Sequence, residues 1–151
     1  MTDHPELRHQ RPGLAVLISP WVTIMSKNNR NTPSDYLNAD SLELYGRQYI
    51  GPKVLADDPL VSPGNCKDIK KWTTASPERG WFFLNGSEEV LGPETRALIS
   101  LLRKTGTEVD HYEQQGGIHA WPVASLYLGE TRDARLHGLR DIVKTIGNRV
   151  S

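Results

Sequence analysis

Two side chains in the second half of the chain have the residue types and spacing that proton-transfer chemistry requires. His119 follows a pair of glycines, and an imidazole suits general acid–base catalysis because its ordinary pKa lies near neutrality. Glu89 lies 30 residues earlier (119 minus 89), in a polar turn. A carboxylate beside an imidazole holds it in one tautomer and stabilises its cation. The pair therefore predicts acid–base chemistry, provided that the fold brings the two turns together.

Both residues also have an ordinary structural interpretation. A histidine in a loop is often only a hydrogen-bonded surface group, and a glutamate that precedes a helix is favoured by the helix dipole alone. One predicted helix and one predicted strand fit between Glu89 and His119. Because adjacent parallel strands end at the same edge of a sheet, this spacing would place both side chains at that edge.

Apolar runs and turn residues predict the elements that would position this pair. The runs at 14–18 and 81–84 are continuously apolar, as in parallel strands covered on both faces, and a more polar third strand is predicted at 108–113. Gly92-Pro93-Glu94 begins a helix that Gly106 closes. A final helix is predicted over 131–146, with an apolar stripe formed by Leu136, Leu139, Val143 and Ile146.

The segment between the first two strands is less regular. Apolar residues from Tyr36 to Tyr45 indicate one or two short helices before Gly51. Prolines and a glycine interrupt any pattern over 56–77, which is interpreted as an ordered connecting loop. Strands that alternate with helices predict the α/β class with a parallel sheet.

The composition limits the partners and the location. The chain carries 18 basic and 18 acidic residues, so no net charge draws it to nucleic acid or anionic lipid. No apolar run reaches the roughly 18 residues that suggest a membrane span, and the polar start is unlike a signal peptide. We therefore expect a cytoplasmic protein with one domain over 1–151. The histidines lack paired ligand spacing and Cys66 is alone, so no metal or other cofactor is expected.

Four motifs, in order along the chain, carry a resemblance to a known family. They are Ser19-Pro20-Trp21, Asp58-Pro59-Leu60 with Ser62-Pro63, Gly86-Ser87-Glu88-Glu89-Val90-Leu91, and Gly117-Ile118-His119-Ala120-Trp121-Pro122. From about Pro12 to Ile146 the chain resembles the C-terminal half of the hormone-sensitive-lipase-like esterases, also called fold-3 of the α/β hydrolases. The resemblance implies a partial α/β-hydrolase fold, with strands six to eight of the family and flanking helices.

The resemblance also implies roles for individual residues. The family acid stands two residues before a leucine, which favours Glu89 before Leu91 over the neighbouring Glu88. His119 matches the family histidine, which precedes a small residue and an aromatic one. Trp121 is expected to pack beside the site. The segments near Ser19 and near Tyr36 to Tyr49 are expected to contribute shape and not proton transfer.

The serine of such a triad is missing from the sequence. A nucleophile elbow reads G-x-S-x-G, and no such pattern occurs in the 151 residues. The His-Gly-Gly-Gly-like oxyanion segment is also absent. Ser19 is a poor substitute because Pro20 lacks the backbone N–H that an oxyanion hole would use, and Ser87 lies in the turn of the acid itself.

The sequence-based expectation is therefore an N-terminally truncated carboxylic ester hydrolase. Residues 1–10 resemble the end of the helix that follows the elbow. The chain would contribute the acid and the histidine, act on a small-molecule ester if complete, and be inactive alone. The alternative is a non-catalytic paralogue or a fragment that binds a small ligand or a partner. An exposed edge of the sheet is expected to favour self-association.

Overall fold

Three parallel strands form the centre of the computed structural model, which describes residues 11–151. The strands are β1 (Ala15–Ile18), β2 (Trp81–Gly86) and β3 (Val109–Gln114), in the order β1-β2-β3. Ala15 lies opposite Trp81, which in turn lies opposite Val109. The predicted parallel sheet is confirmed. The prediction for residues 1–10 lies outside the described residues.

Five α-helices within residues 11–151 flank this sheet. They are α1 (Ala39–Ile50), α2 (Ile69–Ala75), α3 (Gly92–Leu102), α4 (Trp121–Leu128) and α5 (Arg132–Val150). The side chain of Asn38 caps α1 by accepting hydrogen bonds from the N–H groups of Asp40 and Ser41. Thr131 caps α5 in the same way through the N–H of Ala134. None of the helices in the described part of the chain is long and apolar enough to cross a membrane.

The prediction for one segment was wrong, and one helix was missed. The segment 56–77 is not only a connecting loop, because it contains α2, whose seven residues begin directly after the capping side chain of Asp68. Helix α4 was not predicted, since its sequence is apolar on all sides and has no helical periodicity. Strand β2 also extends two residues beyond the predicted end at Leu84, through Asn85 and Gly86.

Alternate residues of β2 contribute to a core on each face of the sheet. Phe83 packs with the α3 residues Leu98, Ile99 and Leu102 on one face. On the other face the residues in contact are Phe82 and Leu84 of β2, Trp121 of α4 and Ile142 of α5. A parallel strand covered on both faces explains why its sequence is continuously apolar.

Helix α5 does not bury the stripe that its sequence suggests. Val143 is 69% exposed and Ile146 is also exposed, whereas Gly138 is buried against α4. A Cβ at Gly138 would lie 2.7 Å from the Cβ of Pro122. The glycine therefore allows α5 to approach α4 closely, and this contact turns the apolar stripe away from the sheet.

Candidate active site

The carboxyl ends of all three strands meet at one edge of the sheet, where two loops are joined by backbone hydrogen bonds. The acid turn (residues 86–91) follows β2, and the histidine loop (residues 115–120) follows β3. The N–H of Glu88 donates to the carbonyl of Gly117 at 3.0 Å, and the N–H of Ser87 donates to the carbonyl of Gln114 at 2.9 Å. This edge is where open α/β sheets carry their functional residues.

The close approach of the two loops requires glycine at position 86. A Cβ placed there would lie 2.0 Å from the carbonyl oxygen of Gly117, far inside contact distance. Gly116 also has a positive φ of 69°, which other residues rarely adopt. The glycines of the two loops therefore permit the geometry that brings Glu89 and His119 together.

Glu89 and His119 are neighbours at this edge. The Nδ1 atom of His119 lies 3.4 Å from Oε2 of Glu89. This distance is within ion-pair range, but the orientation does not make a hydrogen bond, and both atoms are buried without another hydrogen-bond partner. A small rotation of the ring would pair them, and such contacts often tighten only when a substrate binds. Glu88, the competing acid, instead accepts a hydrogen bond from the hydroxyl of Ser87 at 3.3 Å.

The other carboxylate oxygen of Glu89, Oε1, is held by two hydrogen bonds. Only 3% of the residue is exposed, and its Oε1 accepts hydrogen bonds from the N–H of Gly86 at 2.5 Å and the hydroxyl of Ser19 at 2.6 Å. A buried carboxylate needs such donors to keep its charge. The Oε2 atom is thereby left directed to the imidazole.

Ser19 joins the acid to the histidine loop and is not placed to act as a nucleophile. Its Oγ donates to Glu89 and accepts a hydrogen bond from the N–H of Ala120 at 2.8 Å. Sequence reasoning assigned this segment only a role in shape. The hydrogen bonds connect residues that are 70 and 101 positions apart, and no local sequence pattern signals such contacts.

Tyr36 packs against the histidine from the segment before α1. Its ring and the imidazole make an edge-on contact, with centroids 5.8 Å apart and planes at 77°, and its hydroxyl donates to the carbonyl of His119 at 3.2 Å. Partial burial, together with the negative charges of Asp35 and Glu89, raises the pKa of the Tyr36 hydroxyl. The phenol therefore stays protonated and can donate.

Trp121 directly follows the histidine loop, as the first residue of α4. It is buried, and its ring lies 5.5 Å from that of Tyr112 and 5.9 Å from that of His137. A cavity of about 610 Å³ is lined by Trp121, His137 and residues 114–118, but neither Glu89 nor His119 lines it. This cavity does not by itself define where a substrate of the acid–histidine pair would bind.

A separate polar cluster lies between β2, β3 and α3. The buried Asn85 contacts Nε2 of His111 at 2.6 Å and donates to Glu113 at 3.1 Å, and Arg96 forms an ion pair with Glu113 at 2.8 Å. Burial lowers the pKa of His111, more than the nearby charge of Glu113 raises it. These contacts satisfy the hydrogen-bonding groups of the Asn85 side chain near the carboxyl end of β2. His119 is not a member of it.

Glu94 holds the loop after β1 in place. Burial disfavours its charged form, but hydrogen bonds from Ser26, Asn28 and Thr23 together outweigh this effect and lower the pKa of the carboxyl. Within residues 11–151, no three histidine, cysteine or acidic side chains are grouped as a metal ion would require.

A parallel sheet covered by helices on both faces, with polar residues gathered at the carboxyl ends of its strands, defines an α/β protein with a candidate site at that edge. A family model described as an alpha/beta hydrolase fold matches residues 3–123, and the chain therefore belongs to the α/β-hydrolase fold family. No match was found among curated proteins.

Solved structures of similar fold include a hormone-sensitive lipase and a homologue of one. EstE7, a hormone-sensitive-lipase homologue from a metagenome library, has a TM-score of 0.75 and 21% identity over 99% of this chain and 50% of its own. A second hormone-sensitive lipase from a metagenome library has a TM-score of 0.74 and 21% identity over 98% and 49%. EstE5, studied in crystals soaked with p-nitrophenyl butyrate, has a TM-score of 0.69 and 18% identity over 95% and 48%. The chain thus spans about half the length of these structures.

Proposed function

We propose that this chain contributes the acid and the histidine of a serine carboxylic ester hydrolase. The contact of 3.4 Å between His119 Nδ1 and Glu89 Oε2 is the observation that carries the proposal. Once a small rotation of the ring pairs Nδ1 with the carboxylate, Nε2 is the nitrogen left to accept a proton from a serine hydroxyl and return it to the leaving alcohol. Glu89 then orients the ring and stabilises the imidazolium.

The serine and the oxyanion hole are proposed to come from outside this sequence. The described residues hold no serine hydroxyl against His119 in the way that a nucleophile requires, because Ser19 is bonded to Glu89 and Ser87 to Glu88. The absence of a G-x-S-x-G pattern from the 151 residues supports the same proposal. Without these groups, the hydrolase domain formed by these residues is proposed to have no turnover of its own.

The proposed substrate class is a small carboxylic ester. The structural neighbours support it, since they include an esterase from the bacterial hormone-sensitive-lipase family and EstE5, which was soaked with p-nitrophenyl butyrate. The partly exposed imidazole at the sheet edge would be reachable from solvent. A cytoplasmic location remains a prediction from the sequence.

Self-association is a further part of the proposal. Strand β1 pairs with β2 alone among the described residues, so its other edge has free backbone hydrogen-bonding groups. The apolar stripe of α5, in which Val143 and Ile146 are exposed and Leu136 and Leu139 are partly exposed, adds a surface that favours contact with another chain.

The tautomer of His119 tests the acid–histidine pair directly. We expect the ring ¹⁵N chemical shifts of the wild-type chain to show a proton on Nδ1, because the Glu89 carboxylate accepts it. Glu89→Gln should move the proton toward Nε2, since an amide oxygen is a weaker acceptor than a carboxylate. Glu88→Gln is the matched control, and it should leave the tautomer unchanged.

Two results would contradict the proposal. An unchanged tautomer in Glu89→Gln, or a change in Glu88→Gln alone, would remove Glu89 as the acid. In a p-nitrophenyl butyrate assay, the isolated chain should show no turnover that depends on His119. Turnover present in the wild type and lost in His119→Ala would show that the chain carries its own nucleophile.

A further inference from the structure

Asp35 lies in the segment between β1 and α1 and contacts both loops of the candidate site. Its Oδ2 accepts a hydrogen bond from the N–H of Val90 at 2.9 Å, and its Oδ1 accepts one from the N–H of His119 at 3.2 Å. Val90 directly follows Glu89 in the acid turn. One carboxylate therefore bonds the backbone of the histidine itself and the backbone next to the acid.

The segment that carries Asp35 is itself fixed to the acid turn. The hydroxyl of Thr32 donates to the carbonyl of Glu88 at 2.6 Å and accepts a hydrogen bond from the N–H of Asp35 at 3.2 Å. The N–H of Leu37 also donates to Oδ1 of Asp35, at 3.4 Å. Asp35 thus has a defined backbone position from which its two oxygens reach the two loops.

The chemistry of these contacts suits a positioning role. Hydrogen bonds from amides to a carboxylate are stronger than those between neutral groups, and two oxygens on one rigid group fix the separation of the donors. Ser19 already links the side chain of Glu89 to the backbone of Ala120. The contacts of Asp35 are made to different backbone groups, so the two links act together and neither replaces the other.

We propose that Asp35 is a positioning residue that sets the distance between Glu89 and His119 by bonding Val90 and His119 with its two carboxylate oxygens. The role depends on the proposed function of the acid–histidine pair. Asparagine cannot fill it, because one of its two side-chain groups is an NH₂ donor that would face an N–H donor. The carboxylate is needed because both of its oxygens accept.

Asp35→Asn tests this role by NMR on the full chain. We expect the amide exchange of Val90 and His119 to become faster by on the order of tenfold or more, as loss of a charge-assisted hydrogen bond implies. The His119 ring proton should also move from Nδ1 toward Nε2, as the contact with Glu89 loosens. Asp40→Asn is the matched control, because it removes the same charge from an exposed position of α1.

The outcomes separate this proposal from the proposed function. A tautomer that changes in Glu89→Gln but not in Asp35→Asn would overturn the role of Asp35 and leave the acid–histidine pair intact. A tautomer that changes in neither variant would overturn both. If Asp35→Asn does not fold, amide exchange is measured on the wild-type chain. Protection of the Val90 and His119 amides from exchange supports the role, and rapid exchange of either amide overturns it.

Discussion

Ser19 and Ala120 are the two residues other than glycine that the described chain holds at positive φ, at 45° and 52°. Backbone conformations of this kind cost of order 1–3 kcal/mol each and persist where the surroundings enforce them. The two residues are hydrogen-bonded to each other, through the N–H of Ala120 and the hydroxyl of Ser19. Local strain is therefore concentrated at the contact that joins the ends of β1 and β3 beside the acid–histidine pair.

Ser19→Ala tests how much the hydroxyl contributes. Alanine keeps the Cβ, so the strain of the backbone is unchanged, but the Ala120 N–H and one oxygen of Glu89 lose a partner. We expect the free energy of unfolding to fall by about 1–3 kcal/mol and Tm to fall by roughly 3–10 °C, measured by thermal circular dichroism. Ser100→Ala, at an exposed position of α3, is the control. Equal Tm values for both variants would contradict the assignment.

At the scale of the elements, one close helix contact determines which face of α5 packs inward. Gly138 lies in α5 against Pro122 and Trp121 of α4, whereas a Cβ at Gly147 of the same helix would meet nothing within 4 Å. Replacing glycine with alanine should therefore have opposite effects on stability at positions 138 and 147, which are nine residues apart (147 minus 138).

Gly138→Ala should destabilise the chain, and Gly147→Ala should stabilise it. Overpacking at the first position costs about 1–3 kcal/mol, because the backbone of Pro122 must move. At the second position alanine gains about 0.5–1 kcal/mol through its higher helix propensity. Urea unfolding of both variants measures the difference. A similar gain in the free energy of unfolding for both variants would refute the packing of α4 on α5.

The elements that were predicted correctly are those whose own residues carry a local signal in the sequence. The strands β1 and β2 are continuously apolar because both faces are covered, and Pro93 at the start of α3 is preorganised for a helix. Helix α2 is short and lies between proline-rich segments, which hide its cap at Asp68. Helix α4 lacks periodicity, so only its tertiary contacts identify it as a helix.

The candidate site could be predicted only in part from the sequence, because some of its residues make hydrogen bonds to distant parts of the chain. Glu89 and His119 could be proposed from the sequence because each follows a strand and each belongs to a motif. Ser19 and Asp35 act through hydrogen bonds to residues more than 50 positions away, and such partners appear only in the folded chain. Residue type alone does not distinguish them from other loop residues.

For the molecule as a whole, we predict self-association from the outward stripe of α5 and from the edge of β1 that pairs with no strand among residues 11–151. We expect the sedimentation coefficient to rise with protein concentration, because association buries apolar surface. Val143→Lys should weaken this dependence. Asn148→Lys is the control, since it adds the same charge at an exposed position of the same helix on the face away from the stripe. A monomer at all concentrations, with a sharp cooperative melt, would argue against association.

The hydrogen bond between Ser19 and Ala120 spans 101 positions, and parallel strands add further pairings between distant segments. Contacts of this kind form slowly because a long loop must close first. During synthesis, β1 and the acid turn are translated before residue 120. The environment of Glu89 is therefore completed only after most of the polypeptide has been made. Until then the earlier segments are incompletely folded, and their exposed apolar residues form a surface of the kind that chaperones bind.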